Sequence, residues 1–432
     1  MDIEQESAAA GRRDVQMLTV HVPKEKEGTY FTVPFEVPEG VVRLDVTYHY
    51  PGHVKGAAGD RRPVNTIDLG LADETGKFLG WSGSAKDHIY VGPSDSEKGY
   101  LMEPVNAGTW KLILGAYHVA AEGVDVGVTL RFGRRQMRLL FGDLHVHSTC
   151  SDGAYDRYDL ARRAKRMGLD FLVFADHNNW SENLQQPQIS GMTLIPAVEW
   201  THYLGHMNLF GAVNPFENSF VVNSPEEKKR LLDAARKRGA IVSVNHPDCP
   251  VCPYKWDDTD FDMMEIWNGP MTPRNWKAIR RWTALLSEGR RLPAVGGSDY
   301  HRSGTPVLLG HPVTGVYAQG TAPEDILRAI RKGRTFVTES IRGPRLCLRS
   351  GRTFMGGIST EKKLTVYADN LGGCVLTLVS DQGEKRLLGP GHLSFCRTIP
   401  MANVRFAYVK VSLPGMPQIV RAVSNPIYFQ NM

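Results

Sequence analysis

The feature that most constrains the fold is a series of short apolar strands that alternate with helical segments between about residues 139 and 340. The strand candidates are FGDLHVHS, DFLVFADH, TLIPAVEW, AIVSVNHP, DMMEIWN and PAVGGSDYH. Helices are expected between them near Tyr155–Met167, 224–238 and Pro273–Glu288, and from Thr321 to just before Gly333. Strands and helices that alternate in this way predict an α/β region.

Two of these helices carry start signals. Ser224-Pro225-Glu226-Glu227 combines an N-cap serine, a proline at the first helical position and a capping-box glutamate, and Gly239 follows as a C-cap. Thr321-Ala322-Pro323-Glu324 is expected to open another helix in the same way.

The regions on both sides of the α/β region read as β structure. TYFTVPFEVP, VVRLDVTYHY, GTWKLILGAY and VDVGVTLRF lie before it, and KLTVYAD, CVLTLVS and VRFAYVKVS lie after it, with turn residues between them. The predicted fold class is therefore multidomain, α/β plus all-β. We expect an N-terminal β-sandwich over 1–137, the α/β region over 138–342 and a small C-terminal β domain over 343–432.

Histidines and carboxylates gather at the ends of the α/β strands. His145 and His147 are two apart in a strand, so their side chains leave the same face and can share one metal ion. Such a pair alone is weak evidence, but seven further donors follow: Asp152, His177, Glu199, His206, His246, Asp299 and His301. Since strand ends converge at one face of a barrel or sheet, the sequence predicts a metal centre.

The segments HVHSTCSDG, ADHN, AVEW, GHMNLFG, NHPD and GGSDYH resemble the motifs of the PHP (polymerase and histidinol phosphatase) superfamily. The flanking β regions, with GRTFVT, resemble its CehA/McbA metallohydrolase branch. The motif match covers about Leu139–Ser340, roughly half the chain. The resemblance implies a distorted (β/α)7 barrel with up to three metal ions at the face where the strands end.

The resemblance also implies which residues hold each metal. The sites are His145, His147, Glu199 and Asp299 for the first, Glu199 as a bridge with His206 and His246 for the second, and Asp152, His177 and His301 for the third. His202 is the alternative to His206, which we prefer because it opens the apolar HMNLFG as the family motif does. Some family members have histidine at the position of Asp152, so the preference of the third site stays open.

This donor set favours two or three divalent ions of zinc, manganese or iron. Metals bridged by Glu199 would lower the pKa of a shared water and generate a bridging hydroxide, so the expected reaction is hydrolysis. The expected catalytic residues are Glu199, Asp299 and His301, the last two as candidates to protonate the leaving group. Candidates to bind a substrate anion are Arg302, Lys255 and Arg274, each of which a solvated cation would also explain.

Three classes of function fit these features. A phosphoesterase acting on a small-molecule phosphate ester leads, followed by a carboxylester, carbamate or amide hydrolase of the CehA/McbA type. The third class is a nuclease or a non-catalytic binding protein. A net charge of only +5 over 432 residues, with no basic stripe, disfavours a nucleic-acid partner. The expected partner is a small-molecule substrate, no membrane association is expected, and homo-oligomerisation stays open.

The N-terminal segment and the cysteines bear on the location of the protein. MDIEQESAAAGRRDVQ lacks an apolar stretch, and the six cysteines are scattered, so we expect a cytoplasmic location. Cys249 and Cys252, in CPVC, are half a zinc knuckle, a redox pair or two unrelated thiols, and the last interpretation is preferred. No metal ligand is expected among the flanking histidines, which lack carboxylates at strand ends: His21, His49, His53, His88, His118 and His392.

Overall fold

Two units make up the chain in the computed structural model, Met1–Gln136 and Met137–Met432. The structure describes residues 14–55, 61–93, 95–134, 137–257 and 259–430. Most of the N-terminal stretch used to predict location, Met1–Arg13, lies outside the described residues. Within the described ranges, no helix has both the length and the apolar character that a membrane span requires.

The described part of the first unit is built from strands. They are β1 (Val15–Val22), β2 (Thr29–Val37), β3 (Val41–His49), β4 (His53–Lys55), β5 (Arg61–Pro63), β6 (Thr66–Ala72), β7 (Phe78–Gly83), β8 (His88–Val91), β9 (Gly108–His118) and β10 (Val124–Arg134). Two four-stranded antiparallel sheets form, in the orders β1-β10-β3-β8 and β2-β9-β6-β7. Both contribute to one core, with Val46 and Leu114 fully buried, because alternate residues of each strand face inward.

The second unit begins with the α/β elements. They are β11 (Arg138–Val146), α1 (Arg157–Met167), β12 (Phe171–Phe174), β13 (Thr193–His202), β14 (Gly205–Phe210), α2 (Pro225–Lys237), β15 (Ile241–Val244), β16 (Met263–Asn268), α3 (Pro273–Ser287) and β17 (Ala294–Gly297). Neighbours are parallel from β11 to β13 and from β15 to β17, whereas β14 is antiparallel to both β13 and β15.

The residues after β17 return to β11. The backbone N–H of Asp299 donates to the carbonyl of His145 at 2.8 Å, and Val146 and Tyr300 form a parallel bridge. Leu144, Val173 and Ile195 lie in one buried cluster shared by these strands. The fold class is mixed α/β with strands predominating, and the distorted (β/α)7 barrel stays a prediction.

The remaining elements are one helix and strands that belong to two sheets. They are β18 (Val313–Ala318), α4 (Pro323–Arg331), β19 (Thr335–Thr338), β20 (Arg345–Ser350), β21 (Thr353–Phe354), β22 (Ile358–Ser359), β23 (Lys363–Asp369), β24 (Val375–Ser380), β25 (Gly383–Leu388), β26 (Phe395–Pro400), β27 (Phe406–Leu413), β28 (Met416–Ser424) and β29 (Ile427–Phe429). From β11 the sheet continues through β18, β19, β28, β27, β24 and β25, while β21-β20-β23-β26 form a separate sheet. The predicted domain boundaries at 138 and 343 stay predictions.

The helices α2 and α4 differ in how their N-caps are formed. Ser224 caps α2 by accepting from the Glu227 N–H at 3.2 Å, as the sequence predicts. At α4 the prediction was one residue off, because Ala322 occupies the N-cap and supplies no side-chain hydrogen bond. Pro323 still takes the first helical position, where its missing N–H costs nothing.

Candidate metal centre

All nine predicted ligands lie near the strand ends of the second unit. His145 is in β11, Glu199 in β13 and His206 in β14. The others follow strands in loops: His147 and Asp152 after β11, His177 after β12, His246 after β15, and Asp299 and His301 after β17. The structure groups them into overlapping clusters whose candidate ligand atoms lie within 4.8 Å of one another.

The first cluster contains His145, His147 and Asp299. The two Nε2 atoms are 3.1 Å apart, and Asp299 Oδ1 lies 3.4 Å from that of His145 and 3.1 Å from that of His147. Ligands about 2.1 Å from one ion stand roughly 3.0–3.4 Å apart, so this spacing suits a shared ion. Gly297 allows its strand to pass close to His145, because a Cβ at position 297 would lie only 2.6 Å from the Cβ of His145.

Glu199 is completely buried between several histidines. Its Oε1 lies 3.2 Å from His206 Nδ1 and 3.3 Å from His246 Nε2, and Asn245 Nδ2 donates to it at 2.8 Å. Its Oε2 lies 2.8 Å from His177 Nδ1 and 3.4 Å from His147 Nε2, without a well-directed hydrogen bond to either nitrogen. A completely buried carboxylate surrounded by imidazole nitrogens is a donor set that binds divalent cations, so the residues fit the implied metal.

A further cluster contains His147, Asp152, His177 and His301. Asp152 Oδ1 lies 3.2 Å from His301 Nε2 and 3.6 Å from His177 Nε2. The other nitrogen of each histidine is already occupied, since His301 Nδ1 lies 2.9 Å from the Asp299 carbonyl and His177 Nδ1 lies 2.6 Å from Thr201 Oγ1. Each ring therefore offers Nε2 to the site.

The structure brings His206 to the centre and directs His202 elsewhere. His202 Nε2 lies 3.0 Å from the carbonyl of Val222, and its Nδ1 accepts from the Leu204 N–H at 3.0 Å. Its ring also stacks against Trp200 at 5.4 Å between centroids. Both nitrogens of His202 are thus occupied, which favours His206 as the ligand.

Opposite charges in the cluster shift one another's pKa values. Burial acts to raise the pKa of Glu199, but the surrounding histidines, led by His145, hold it well below its ordinary value. Burial likewise acts to raise the pKa of Asp299, and His145 and His147 hold it well below the ordinary value. For His145, burial acts to lower the pKa, and Asp299, Glu265 and Glu199 raise it well above the usual range.

Two supporting residues were missed from the sequence. Glu265, in β16, lies with its Oε1 3.0 Å from His145 Nδ1, and its Oε2 accepts from the His246 N–H at 2.9 Å. Asn245 fixes Glu199, as described above. The available signals were an acidic residue inside the apolar MMEIWN and a polar residue beside His246. Such partners orient the ligands that they contact.

Asp176, adjacent to His177, anchors the loop that carries Asp152. Burial acts to raise its pKa, but the buried guanidinium of Arg157, 2.7 Å away, holds it below the ordinary value. Ser148 donates to Asp176 through its N–H at 2.7 Å, and Ser151 Oγ donates at 2.9 Å. This network ties the end of β12 to the loop after β11.

The predicted anion-binding residues differ in their surroundings. Arg302 is exposed and donates to the carbonyl of Asp152 at 3.0 Å, so it lies beside the third cluster. Lys255 is exposed on the loop after β15. Arg274 is half-buried and donates to Asn268 Oδ1 at 2.8 Å, which gives its guanidinium a structural partner.

The flanking histidines join none of the clusters found among the described residues. Three of these histidines nevertheless have a carboxylate partner, which the sequence did not predict. His21 pairs with Asp125 at 2.7 Å, His88 with Asp45 at 3.2 Å and His118 with Glu27 at 3.3 Å. Each has a single carboxylate at the surface rather than several converging donors.

The two CPVC thiols, for which no joint role is expected from the sequence, lie together at the edge of the centre. Cys252 Sγ is 3.2 Å from Cys249 Sγ and 3.7 Å from His246 Nδ1. Cys252 also groups with His206 and His246 as possible ligands.

No family model and no curated protein matches the sequence. Among solved structures, the chain is similar to a two-domain protein of Bacteroides vulgatus described as containing a PHP-like metal-dependent phosphoesterase, with 19% identity over 67% of this chain and 95% of the other and a TM-score of 0.41. A Bifidobacterium adolescentis protein described as a metal-dependent phosphoesterase has 17% identity over 39% and 90%, with a TM-score of 0.31.

A lesion-specific endonuclease of Pyrococcus furiosus has 18% identity over 56% of this chain and 62% of the other, with a TM-score of 0.35. None of these three descriptions names a CehA/McbA protein.

Proposed function

We propose that this chain is a metal-dependent hydrolase that acts on a small-molecule phosphate ester. The observation that carries the proposal is the placement of Glu199. Its Oε1 faces His206 and His246, while its Oε2 faces His147 and His177. A buried carboxylate with histidines on both oxygens suits two neighbouring cations, and such paired sites serve phosphate-ester hydrolysis.

The residues that would hold the cations are the nine predicted ligands. Two or three divalent ions of zinc, manganese or iron, when bound, supply Lewis acidity and a hydroxide nucleophile at neutral pH. Glu265 and Asn245 keep His145 and Glu199 in their ligating orientations. Asp299 and His301 have partly exposed side chains, so they can contact a leaving group.

A cation at the rim of the site supports a phosphate ester as the substrate. Arg302 is exposed beside Asp152 and can pair with a phosphate oxygen. A carboxylester, carbamate or amide is the alternative substrate, as expected of a CehA/McbA-like protein. The proposal includes the distorted (β/α)7 barrel over 138–342, the flanking β regions as separate domains, and a cytoplasmic protein without a nucleic-acid partner.

A substrate panel tests the reaction class. Full-length protein loaded with manganese, zinc or iron is assayed on phosphomonoesters, phosphodiesters, aryl carboxylesters and carbamates. We expect phosphoester hydrolysis that a chelator abolishes and that Glu199→Gln lowers at least a hundredfold. Glu288→Gln, an exposed residue after α3, is the matched control. Chelator-resistant hydrolysis would contradict the proposal, and turnover of carbamates or carboxylesters alone would favour the alternative.

Solvent, rather than a side chain, is the proposed nucleophile. Of the two candidate nucleophiles that precede Asp152 in the chain, Ser151 donates through its Oγ to Asp176 at 2.9 Å. Cys150 is held in the same loop by its backbone N–H, which donates to Ser148 Oγ at 3.2 Å. A single turnover in ¹⁸O-labelled water should place the label in the product acid at once. Trapping a covalent intermediate on Cys150 or Ser151 would contradict this mechanism.

A further inference from the structure

Cys249 and Cys252 lie in the loop that follows His246, and backbone hydrogen bonds fix this loop. The Cys249 N–H donates to the His246 carbonyl at 2.8 Å, and the Lys255 N–H donates to the Leu204 carbonyl at 2.7 Å. Between the cysteines, Val251 is 90% exposed, so the tip of the loop faces solvent. The pair is therefore held in place by a loop whose tip is open to small solutes.

The separation of the two sulfurs suits a covalent bond. They are 3.2 Å apart, and a disulfide is about 2.05 Å long, so closure needs a movement of about 1 Å. Cys249 is buried and Cys252 is partly exposed. Cys252 is therefore the sulfur that an oxidant reaches first, and Cys249 is positioned to attack it.

The same pair contacts the candidate metal centre through His246. The Nε2 of this histidine faces Glu199 Oε1 at 3.3 Å, whereas its Nδ1 faces Cys252 Sγ at 3.7 Å. A group that contacts the second nitrogen of a ligating histidine fixes the ring and tunes its basicity. A disulfide would draw Cys252 Sγ toward Cys249 and so change its contact with His246 Nδ1.

We propose that Cys249 and Cys252 form a reversible disulfide that weakens metal retention at His246. The effect on the metal rests on the proposed function, whereas the disulfide does not. With hydrogen peroxide as oxidant, Cys252 sulfur attacks a peroxide oxygen, the O–O bond breaks, and a sulfenic acid and one water form. Cys249 sulfur then attacks that sulfenic sulfur, the S–S bond forms and a second water leaves. The two thiols lose two electrons and two protons, which peroxide accepts, and a dithiol reverses the step by exchange.

Peptide mass spectrometry of the peroxide-treated full chain tests the disulfide. Trypsin releases both cysteines in one peptide, Gly239–Lys255. We expect this peptide to lose the mass of two hydrogens on oxidation and to regain it with dithiothreitol. Cys249→Ser should abolish the change, whereas Cys396→Ser, at an exposed position in β26, should leave it intact. An unchanged peptide mass in the peroxide-treated wild type would overturn the proposal.

Metal release to a chelator tests the coupling to His246. The oxidised protein should release metal about tenfold faster than the reduced protein, and Cys249→Ser should show no such acceleration. Equal release rates with the disulfide formed would overturn the regulatory effect. In the metal-loaded protein, the peptide mass could change with peroxide only after the metal is removed. That result would mean that the metal binds the thiolate, and it would overturn the proposed redox regulation. The peptide mass is measured without hydrolytic activity. The test of the disulfide therefore stands even if the proposed function fails.

Discussion

At the scale of single residues, the centre combines close packing with backbone strain. Asp299, His246 and Asn178 adopt φ values of 56°, 26° and 50°, in the left-handed region that non-glycine residues seldom occupy. Each such residue costs of order 1–3 kcal/mol, and the surrounding hydrogen bonds must hold it there. Strain at two predicted ligands and beside a third, His177, is consistent with a site whose geometry is set before anything binds.

Glu265→Gln is expected to weaken metal binding without unfolding the protein. The amide keeps the size of the carboxylate but removes its charge beside His145 Nδ1. Loss of such an orienting partner costs about 10–100-fold in metal affinity. Competition with a chromophoric chelator measures the affinity, with circular dichroism to check the fold and Glu288→Gln as the control. Wild-type affinity in Glu265→Gln would refute this role.

Arg157→Met is expected to destabilise the protein by about 3–5 kcal/mol, because it leaves the buried Asp176 carboxylate without its guanidinium. Arg162→Met, on an exposed position of the same helix, should cost less than about 0.5 kcal/mol. Urea denaturation of both variants gives the comparison. Equal stabilities for the two would show that the Arg157–Asp176 pair is not needed for the fold.

At the scale of elements, the period of a strand makes several ligands predictable. His145 and His147 face the same side because they are two apart, and the structure brings both Nε2 atoms together. Glu265 escaped prediction because every residue of β16 is buried, so its sequence reads as an apolar run with no period. The CPVC spacing offers a redox pair among its interpretations, and the structure places the two sulfurs 3.2 Å apart.

The histidines outside the α/β elements are expected to leave the metal content unchanged. A triple variant, His21→Gln, His88→Gln and His118→Gln, removes only single surface carboxylate pairs. Elemental analysis of this variant should give the wild-type metal content. A loss of metal would contradict the confinement of the ligands to the second unit.

At the scale of the whole molecule, the sequence predicted the element types better than their assembly. The strands KLTVYAD, CVLTLVS and VRFAYVKVS are present as β23, β24 and β27. The local pattern did not predict that Phe336–Thr338 pairs with Ala422–Ser424, which joins the C-terminal strands to the sheet containing β11. Such pairing depends on register between segments far apart in sequence, and short-range periodicity carries no information about it.

Metal stoichiometry of the full-length chain tests the central claim most directly. Wild-type protein saturated with manganese, zinc or iron and freed of excess metal is compared by elemental analysis with the double variant His145→Ala, His147→Ala. The account predicts two or more ions per wild-type chain and a loss of metal in the double variant, because both Nε2 atoms of the first cluster are removed. Full metal content in the double variant would contradict the assignment of the centre.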